Sequence, residues 1–313
     1  MQKTAFLFPG QDSQSIDMMA SLAESSECVG QTFAAASGTL GYDLWDVVQN
    51  GPAERLGQTE VTQPALLCAG IATWKAWKSA GGADPDYLAG HSLGEYTALV
   101  ASGALDFEAA VSLVALRGRL MQEATPAGTG AMAAVLNLDD EVLAAVCTEA
   151  EQGQVVSCAN FNSPGQVVIA GNKEAVDRAC ALALEAGARR AVPLPVSVPS
   201  HCLLMKPAAE RMEQVLEGID VRAPGIPVIH NVDVTAKADP AAVRAALVQQ
   251  LWQPVRWSDT IQWLIGEGVG RFAECGPGKV LAGLNRRISR EVSTAALIDM
   301  EAIKETLNEW SAS

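Results

Sequence analysis

Residues 87–102 read YLAGHSLGEYTALVAS. A short apolar run stops at Gly90, a serine follows at 92, and a second glycine stands at 94 before a stretch rich in small residues. The spacing is G-x-S-x-G. Where a chain passes abruptly from strand to helix, glycines on either side of a serine let the backbone close tightly and lift the hydroxyl above the end of the sheet. Such a turn needs a strand that ends, a helix that starts at the next residue, and layers for both to pack on. The neighbouring sequence supplies these. TAFLFPG, residues 4–10, reads as a buried strand ending in a turn, and residues 16–38 have helical spacing. A helix is expected from Pro64 to Ser79, with proline in its first turn and glycine just past its end. DYLAG is then a strand and HSLGEYTALVASGAL a helix. Strand, helix, strand, helix implies an α/β layer with a parallel core.

The chain changes character from about Gly130 to Val196. AMAAVL is a strand, DDEVLAAVCTEAEQ a helix, and VVSCANF and QVVIAG are strands joined by the turn NSPG. NKEAVDRACALALEAG is a second helix and ARRAVPLPV a last strand. The order β-α-β-β-α-β is the split βαβ, ferredoxin-like pattern. Helix KPAAERMEQVLEGI and the strands IPVIHNV and RFAECGPG then resume the first layer. Residues 1–127 and 198–313 are therefore expected to form a large discontinuous α/β domain around an inserted small domain of residues 128–197.

The chain has 313 residues and a formal net charge of −14, which excludes a broad cationic stripe for nucleic acid. Seven scattered cysteines without a C-x-x-C suggest buried thiols in a reducing compartment, not a disulfide framework or zinc site. The four-residue apolar run near the N-terminus is too short for a secretory leader, and no apolar run approaches the roughly 20 residues of a membrane helix. The expectation is a cytoplasmic protein that binds neither nucleic acid nor membrane.

A serine hydroxyl needs a base within hydrogen-bond reach to act as a nucleophile. Leu93, first in the helix, directs its N–H toward the space above Ser92, where an oxyanion would form. The chain has three histidines. His91 adjoins Ser92, and neighbouring side chains at such a turn diverge. His230 lies in an apolar strand run and reads as a buried ring with its bonds satisfied. His201 ends an extended segment just before a helix, where the helix dipole favours the neutral ring that a base requires. Elimination selects His201. The partner of its other ring nitrogen is not named by these residues: a carboxylate would make a triad, a backbone carbonyl a dyad.

Residues 106–123 read as a helix carrying two arginines. Arg119 has Glu123 four residues on and reads as a solvent arginine paired with it. The helical neighbours of Arg117 are Leu113, Val114, Leu120 and Met121, so it lies on the stripe that faces the core. A buried guanidinium without an anion is costly. Its partner is either a protein carboxylate or the free carboxylate of a diacid substrate held by a bidentate fork.

Several segments together resemble the malonyl-CoA:acyl carrier protein transacylases of type II fatty acid synthesis: FLFPGQDSQ, TQPAL, AGHSLGEY, GTGAMAAV, NFNSPGQVVIAG, PLPVSVPSH, NVDV and GPGKVL, in family order over nearly the whole chain. The resemblance implies an α/β-hydrolase-like core with a ferredoxin-like insert. It implies that Ser92 carries malonyl as an ester and that His201 is base and then acid. Backbone N–H groups of Gln11 and Leu93 would form the oxyanion hole, Arg117 would clamp the malonyl carboxylate, and the Gln250 carbonyl would orient His201. Gln63 and Asn162 also fall on family motifs near the site. Malonyl-CoA is then a substrate, acyl carrier protein the partner, no metal or other cofactor is needed, and the chain is a monomer. One departure stands out. The family carries glycine where this chain has Asp12 and Asp17. Aspartate tolerates left-handed backbone angles better than most residues, so the turn is expected to survive with Asp12 facing solvent. Because carriers of this pathway are acidic, an acidic enzyme needs a local basic patch; the candidates are Arg189, Arg190, Lys279, Arg286, Arg287 and Arg290. The rival readings are a serine esterase or thioesterase, the malonyl transferase subunit of a malonate decarboxylase complex, and a catalytically dead carrier-binding module.

Overall fold

The computed structural model describes residues 2–126, 128–196 and 198–311. Nine strands among them form two sheets. The first is parallel throughout and has the order β7-β2-β1-β8-β9. Here β1 is Lys3–Phe8, β2 Tyr87–Gly90, β7 Val228–Ile229, β8 Val269–Glu274 and β9 Ser293–Ala296. A central parallel strand is covered on both faces and reads as an unbroken apolar run, which is why Ala5 to Phe8 are all fully buried. Successive side chains point to opposite faces. Phe6 and Phe8 enter the cluster beneath the helices Thr59–Ser79 and Phe107–Glu123, while Ala5 and Leu7 join Trp257, Ile261 and Leu264 on the other side. Phe6 meets Trp74, Trp77 and Trp310 edge-on at 5.5, 5.0 and 5.8 Å between ring centres, and its burial contributes about 1.5–3 kcal/mol.

The second sheet is antiparallel, with β3 (Gly130–Leu136), β4 (Val156–Ser163), β5 (Gln166–Asn172) and β6 (Arg190–Pro193) in the order β4-β5-β3-β6. Helices Asp140–Ala150 and Lys173–Glu185 close an apolar cluster of their own against it. The molecule is thus an α/β protein with a mainly parallel sheet and a separate antiparallel layer. Ala127 and Ser197, at the expected boundaries of the insert, lie outside the described residues.

Several elements differ from the sequence expectation. The helix expected from Pro64 starts at Thr59. Its first turn is held by packing: a side-chain carbon at Gly118 would lie 2.6 Å from the Thr59 carbonyl oxygen, so the helix Phe107–Glu123 lies directly against it. Residues 16–38 contain parts of two helices, Ala20–Ser25 and Glu27–Leu40. The last strand of the insert keeps only Arg190–Pro193 of ARRAVPLPV. IPVIHNV yields only Val228–Ile229, so His230 lies past the strand. Arg119 bonds Glu60 at 3.3 Å instead of Glu123, which is taken by Arg211: with the two helices in contact, the cross-helix carboxylate is the nearer one. All seven thiols are free, and Cys68, Cys147, Cys202 and Cys275 are buried. No helix among the described residues is long and apolar enough to cross a membrane.

Candidate active site

The G-x-S-x-G segment forms the strand-to-helix turn, between β2 and the helix Leu93–Ala101. Both glycines are required by contact. A side-chain carbon at Gly90 would lie 1.9 Å from the Gly94 carbonyl carbon, and one at Gly94 would lie 2.0 Å from the Phe8 carbonyl oxygen. Ser92 at φ 51° and ψ −107° is strained, a conformation costing on the order of 1–3 kcal/mol. Its N–H donates to Asn231 Oδ1 at 2.8 Å, and its carbonyl accepts from Gln250 Nε2 at 2.8 Å and from the Glu95 N–H at 3.0 Å. Neither the Gln11 nor the Leu93 backbone N–H has an acceptor within the described residues.

His201 comes to this turn from the other side of the cleft. Its Nε2 lies 2.8 Å from Ser92 Oγ, and its Nδ1 lies 2.7 Å from the Gln250 carbonyl oxygen. The carbonyl can only accept, so Nδ1 carries the proton and Nε2 is free to accept from the serine hydroxyl. The orienting partner is a backbone carbonyl, as in a dyad. The ring is 2% exposed. Burial, and then the nearby Arg117 charge, push its pKa down to about 3, so it is neutral at neutral pH.

Arg117 is fully buried beside this pair. Its Nη2 lies 3.3 Å from Ser92 Oγ and 3.0 Å from Gln250 Oε1, and its guanidinium stands 5.3 Å from the centre of the Tyr96 ring. Nε and Nη1 find no acceptor in hydrogen-bond geometry, although the Tyr96 hydroxyl is near enough to act on the charge. No ion pair joins Arg117 to a carboxylate among the described residues: Glu95, whose charge acts on it through space, gives its oxygens to His230 Nδ1 at 2.7 Å and to the Asn231 N–H at 2.8 Å. Of the two partners left open by the sequence, the protein carboxylate is excluded within the described residues. Gln250 ties the site together, with its carbonyl on His201, its amide oxygen on Arg117 and its amide nitrogen on Ser92.

The hydroxyl opens on a cleft of about 440 Å³ whose walls include Gln11, Asp12, His91, Met132 and His201, a size suited to a small-molecule group. Asp12 and Asp17 both take left-handed angles, at φ 76° and 68°. Asp12 is exposed at the cleft, where partial desolvation raises its carboxyl pKa. Gln63 is buried behind Gln11, with Nε2 3.3 Å from Gln11 Oε1 and 3.6 Å from Met121 Sδ. Asn162 bonds His91 Nε2 at 2.8 Å, so that ring turns toward the antiparallel layer and away from Ser92. Arg189, Arg190, Arg286 and Arg287 are not part of this cleft. Arg286, Arg287 and Arg290 line a separate surface groove of about 950 Å³ that includes no serine, cysteine or histidine. No group of three or more metal-ligating side chains is gathered among the described residues.

The sequence reading did not assign roles to Asn231, Glu95, His230, Tyr96 or the Gln250 side chain. A signal existed in IPVIHNV: two polar residues inside an apolar run are buried and need partners. The expectation that the His230 ring has its bonds satisfied is met only at Nδ1, on Glu95; its Nε2 has no partner among the described residues.

A serine and a neutral imidazole at a strand-to-helix turn, with an unpaired guanidinium alongside, make a site for acyl transfer. The chain belongs to the acyl transferase domain family, whose model matches residues 5–305. It is similar to the malonyl CoA-acyl carrier protein transacylases of Salmonella typhimurium, at 53% identity over 99% of this chain and 100% of the relative, and of Escherichia coli, at 54% over 98% and 99%. Among solved structures it is similar to a malonyl-transacylase in complex with its type II PKS acyl-carrier protein, with a TM-score of 0.97 and 54% identity over 98% of this chain and 99% of that one.

Proposed function

We propose that this chain transfers malonyl from malonyl-CoA to the phosphopantetheine thiol of an acyl carrier protein, by way of a malonyl ester on Ser92. One observation carries the choice of acyl group: a buried arginine beside the reactive pair, with two nitrogens that make no hydrogen bond and no carboxylate ion-paired to it among the described residues. A carboxylate on the substrate supplies the missing charge, and the fork of donors fixes its direction. His201 Nε2 takes the Ser92 proton as Oγ attacks the thioester carbonyl, and the N–H groups of Gln11 and Leu93 receive the oxyanion. His201 returns the proton to the CoA thiolate as the carbon–sulfur bond breaks. The carrier thiol then attacks the ester, giving its proton to His201, which passes it to Ser92. The imidazolium formed in each half-reaction is stabilised by the Gln250 carbonyl on Nδ1. The reaction so written needs no metal or redox cofactor.

We read residues 1–127 and 198–313 as an α/β-hydrolase-like domain and 128–197 as a ferredoxin-like one; the strand order β4-β5-β3-β6 and the separate apolar cluster support this. The compartment is the cytoplasm and the chain a monomer. The carrier docks on exposed Arg189, Arg190, Arg286 and Arg287. Arg287 bonds Gln166, and Gln166, Leu136 and Arg190 lie in one register row across β5, β3 and β6, so the two arginine pairs border one edge. The test is the intact mass after incubation with malonyl-CoA. A stable malonyl adduct mapped to the Ser92 peptide, discharged by carrier protein, is the expected result. Free malonate without carrier would make the chain a hydrolase, and an unchanged mass would remove the catalytic reading.

A further inference from the structure

The serine turn is held by more than its own helix. An L-residue occupies the Ser92 conformation only when its surroundings impose it. Asn231 does so with one side chain: Oδ1 accepts from the Ser92 N–H at 2.8 Å, and Nδ2 donates to the Gly90 carbonyl at 2.7 Å. It bridges the last carbonyl of β2 and the N–H of the turn, replacing the neighbouring strand that the chain gives up as it leaves the sheet. Asn231 is held in turn. Its N–H donates to Glu95 Oε2 at 2.8 Å, and Glu95 Oε1 is bonded to His230 Nδ1 at 2.7 Å. The Glu95 N–H closes the ring on the Ser92 carbonyl at 3.0 Å. All three residues are fully buried, and none lines the cleft. A buried carboxyl group needs hydrogen-bond partners, and Glu95 finds them in the Asn231 N–H and His230 Nδ1.

We propose that Asn231, locked by Glu95 and His230, is a positioning residue that keeps Ser92 Oγ within reach of His201 Nε2; the proposal rests on Ser92 being the nucleophile. The bond also commits the Ser92 N–H, so the turn offers the Leu93 N–H to the oxyanion. Without that acceptor the strained dihedrals relax, and the hydroxyl moves off the imidazole. A displacement near 1 Å costs on the order of 10² in rate.

The test uses the whole protein and a neutral alkyl fluorophosphonate. Ser92 Oγ attacks phosphorus, fluoride leaves, and the serine proton goes to His201; no carboxylate or CoA is recognised. The phosphonylation rate of folded Asn231→Ala is expected to fall about 10²-fold, with KM for malonyl-CoA within about twofold of the parent. Glu95→Ala is expected to fall at least about tenfold, and Glu95→Gln, which keeps an oxygen for the Asn231 N–H, to recover most of that loss. Equal rates in parent and Asn231→Ala, at matched near-ultraviolet circular dichroism, overturn the proposal. So does a loss that tracks only the folded fraction. If Asn231→Ala does not fold, the Glu95 pair decides by the same readout: equal rates for Glu95→Ala and Glu95→Gln overturn it. A parent that is phosphonylated but takes no malonyl from malonyl-CoA overturns the donor assignment and leaves the positioning role to be decided by the variants.

Discussion

At residue scale the site is governed by one positive charge beside one neutral ring. Arg117→Ala is expected to lower kcat/KM for malonyl-CoA by about 10²-fold or more and to reverse the preference toward acetyl-CoA; a malonyl preference that survives would remove the clamp. The same charge helps hold the His201 pKa at about 3. The free-enzyme acid limb of kcat/KM is therefore expected well below the ordinary histidine value of about 6.5, and Arg117→Ala should move it upward. The sign for stability follows. The folded pKa lies below the unfolded one, so the unfolded chain binds the proton first. Stability is full above about pH 6.5 and falls as the pH drops toward 3. Asp12 makes a milder prediction. A carboxylate at the cleft opposes an anionic acyl group, so Asp12→Gly should raise kcat/KM for malonyl-CoA a few-fold at pH 8, with the gain shrinking toward acid pH as the carboxyl, its pKa raised by desolvation, takes up its proton. Ser92, His201 and Arg117 were legible because each breaks a local pattern: a serine between glycines, a histidine left by elimination, a cation on an apolar stripe. Asn231 and the Gln250 side chain were not. Their partners lie 139 and 158 residues away, and no local spacing encodes that.

At element scale, legibility tracks burial. The central strands β1 and β2 read clearly as unbroken apolar runs covered on both faces. Strand β9 did not: it reads STAA, is nowhere fully buried and sits at the sheet edge, where packing places few demands on sequence. Helices Pro240–Gln250, Trp257–Gly266 and Val280–Ile288 carry signals that the sequence reading did not use, such as the Asp239 cap accepting from the Ala242 N–H at 2.9 Å and Glu274 accepting from the Leu281 and Ala282 N–H groups at 3.1 and 2.9 Å. Capping also allows a test that separates the scaffold from the chemistry. Asp106 accepts from the Ala109 N–H at 3.0 Å, at the far end of the helix that carries Arg117. Asp106→Ala should cost about 1 kcal/mol in urea unfolding with kcat unchanged; a large fall in kcat would mean that the cap also sets the position of Arg117.

At the scale of the whole molecule, the fold brings two distant halves of the chain to one cleft. Ser92 comes from the first half and His201 and Gln250 from the second, while the bond between His91 and Asn162 ties the antiparallel layer to the serine turn. The order of layers was legible from the sequence; the bonds that bring them to one cleft were not, because they join residues far apart in the chain. Charge reversal at Arg190 and Arg287 should raise KM for the carrier severalfold while leaving the malonyl-CoA half-reaction intact; an unchanged carrier KM would put the docking edge elsewhere. The groove of Arg286, Arg287 and Arg290 sits on a chain whose net charge is −14. An acidic visitor meets two opposed influences, each with its own range. In very dilute buffer, where the Debye length is about 30 Å, it is repelled by the whole body; near 0.1 M, where that length is about 10 Å, it senses little beyond the arginine rim. Encounter should therefore quicken as salt is first added and slow again at higher concentrations, a humped curve that an evenly charged surface would not produce.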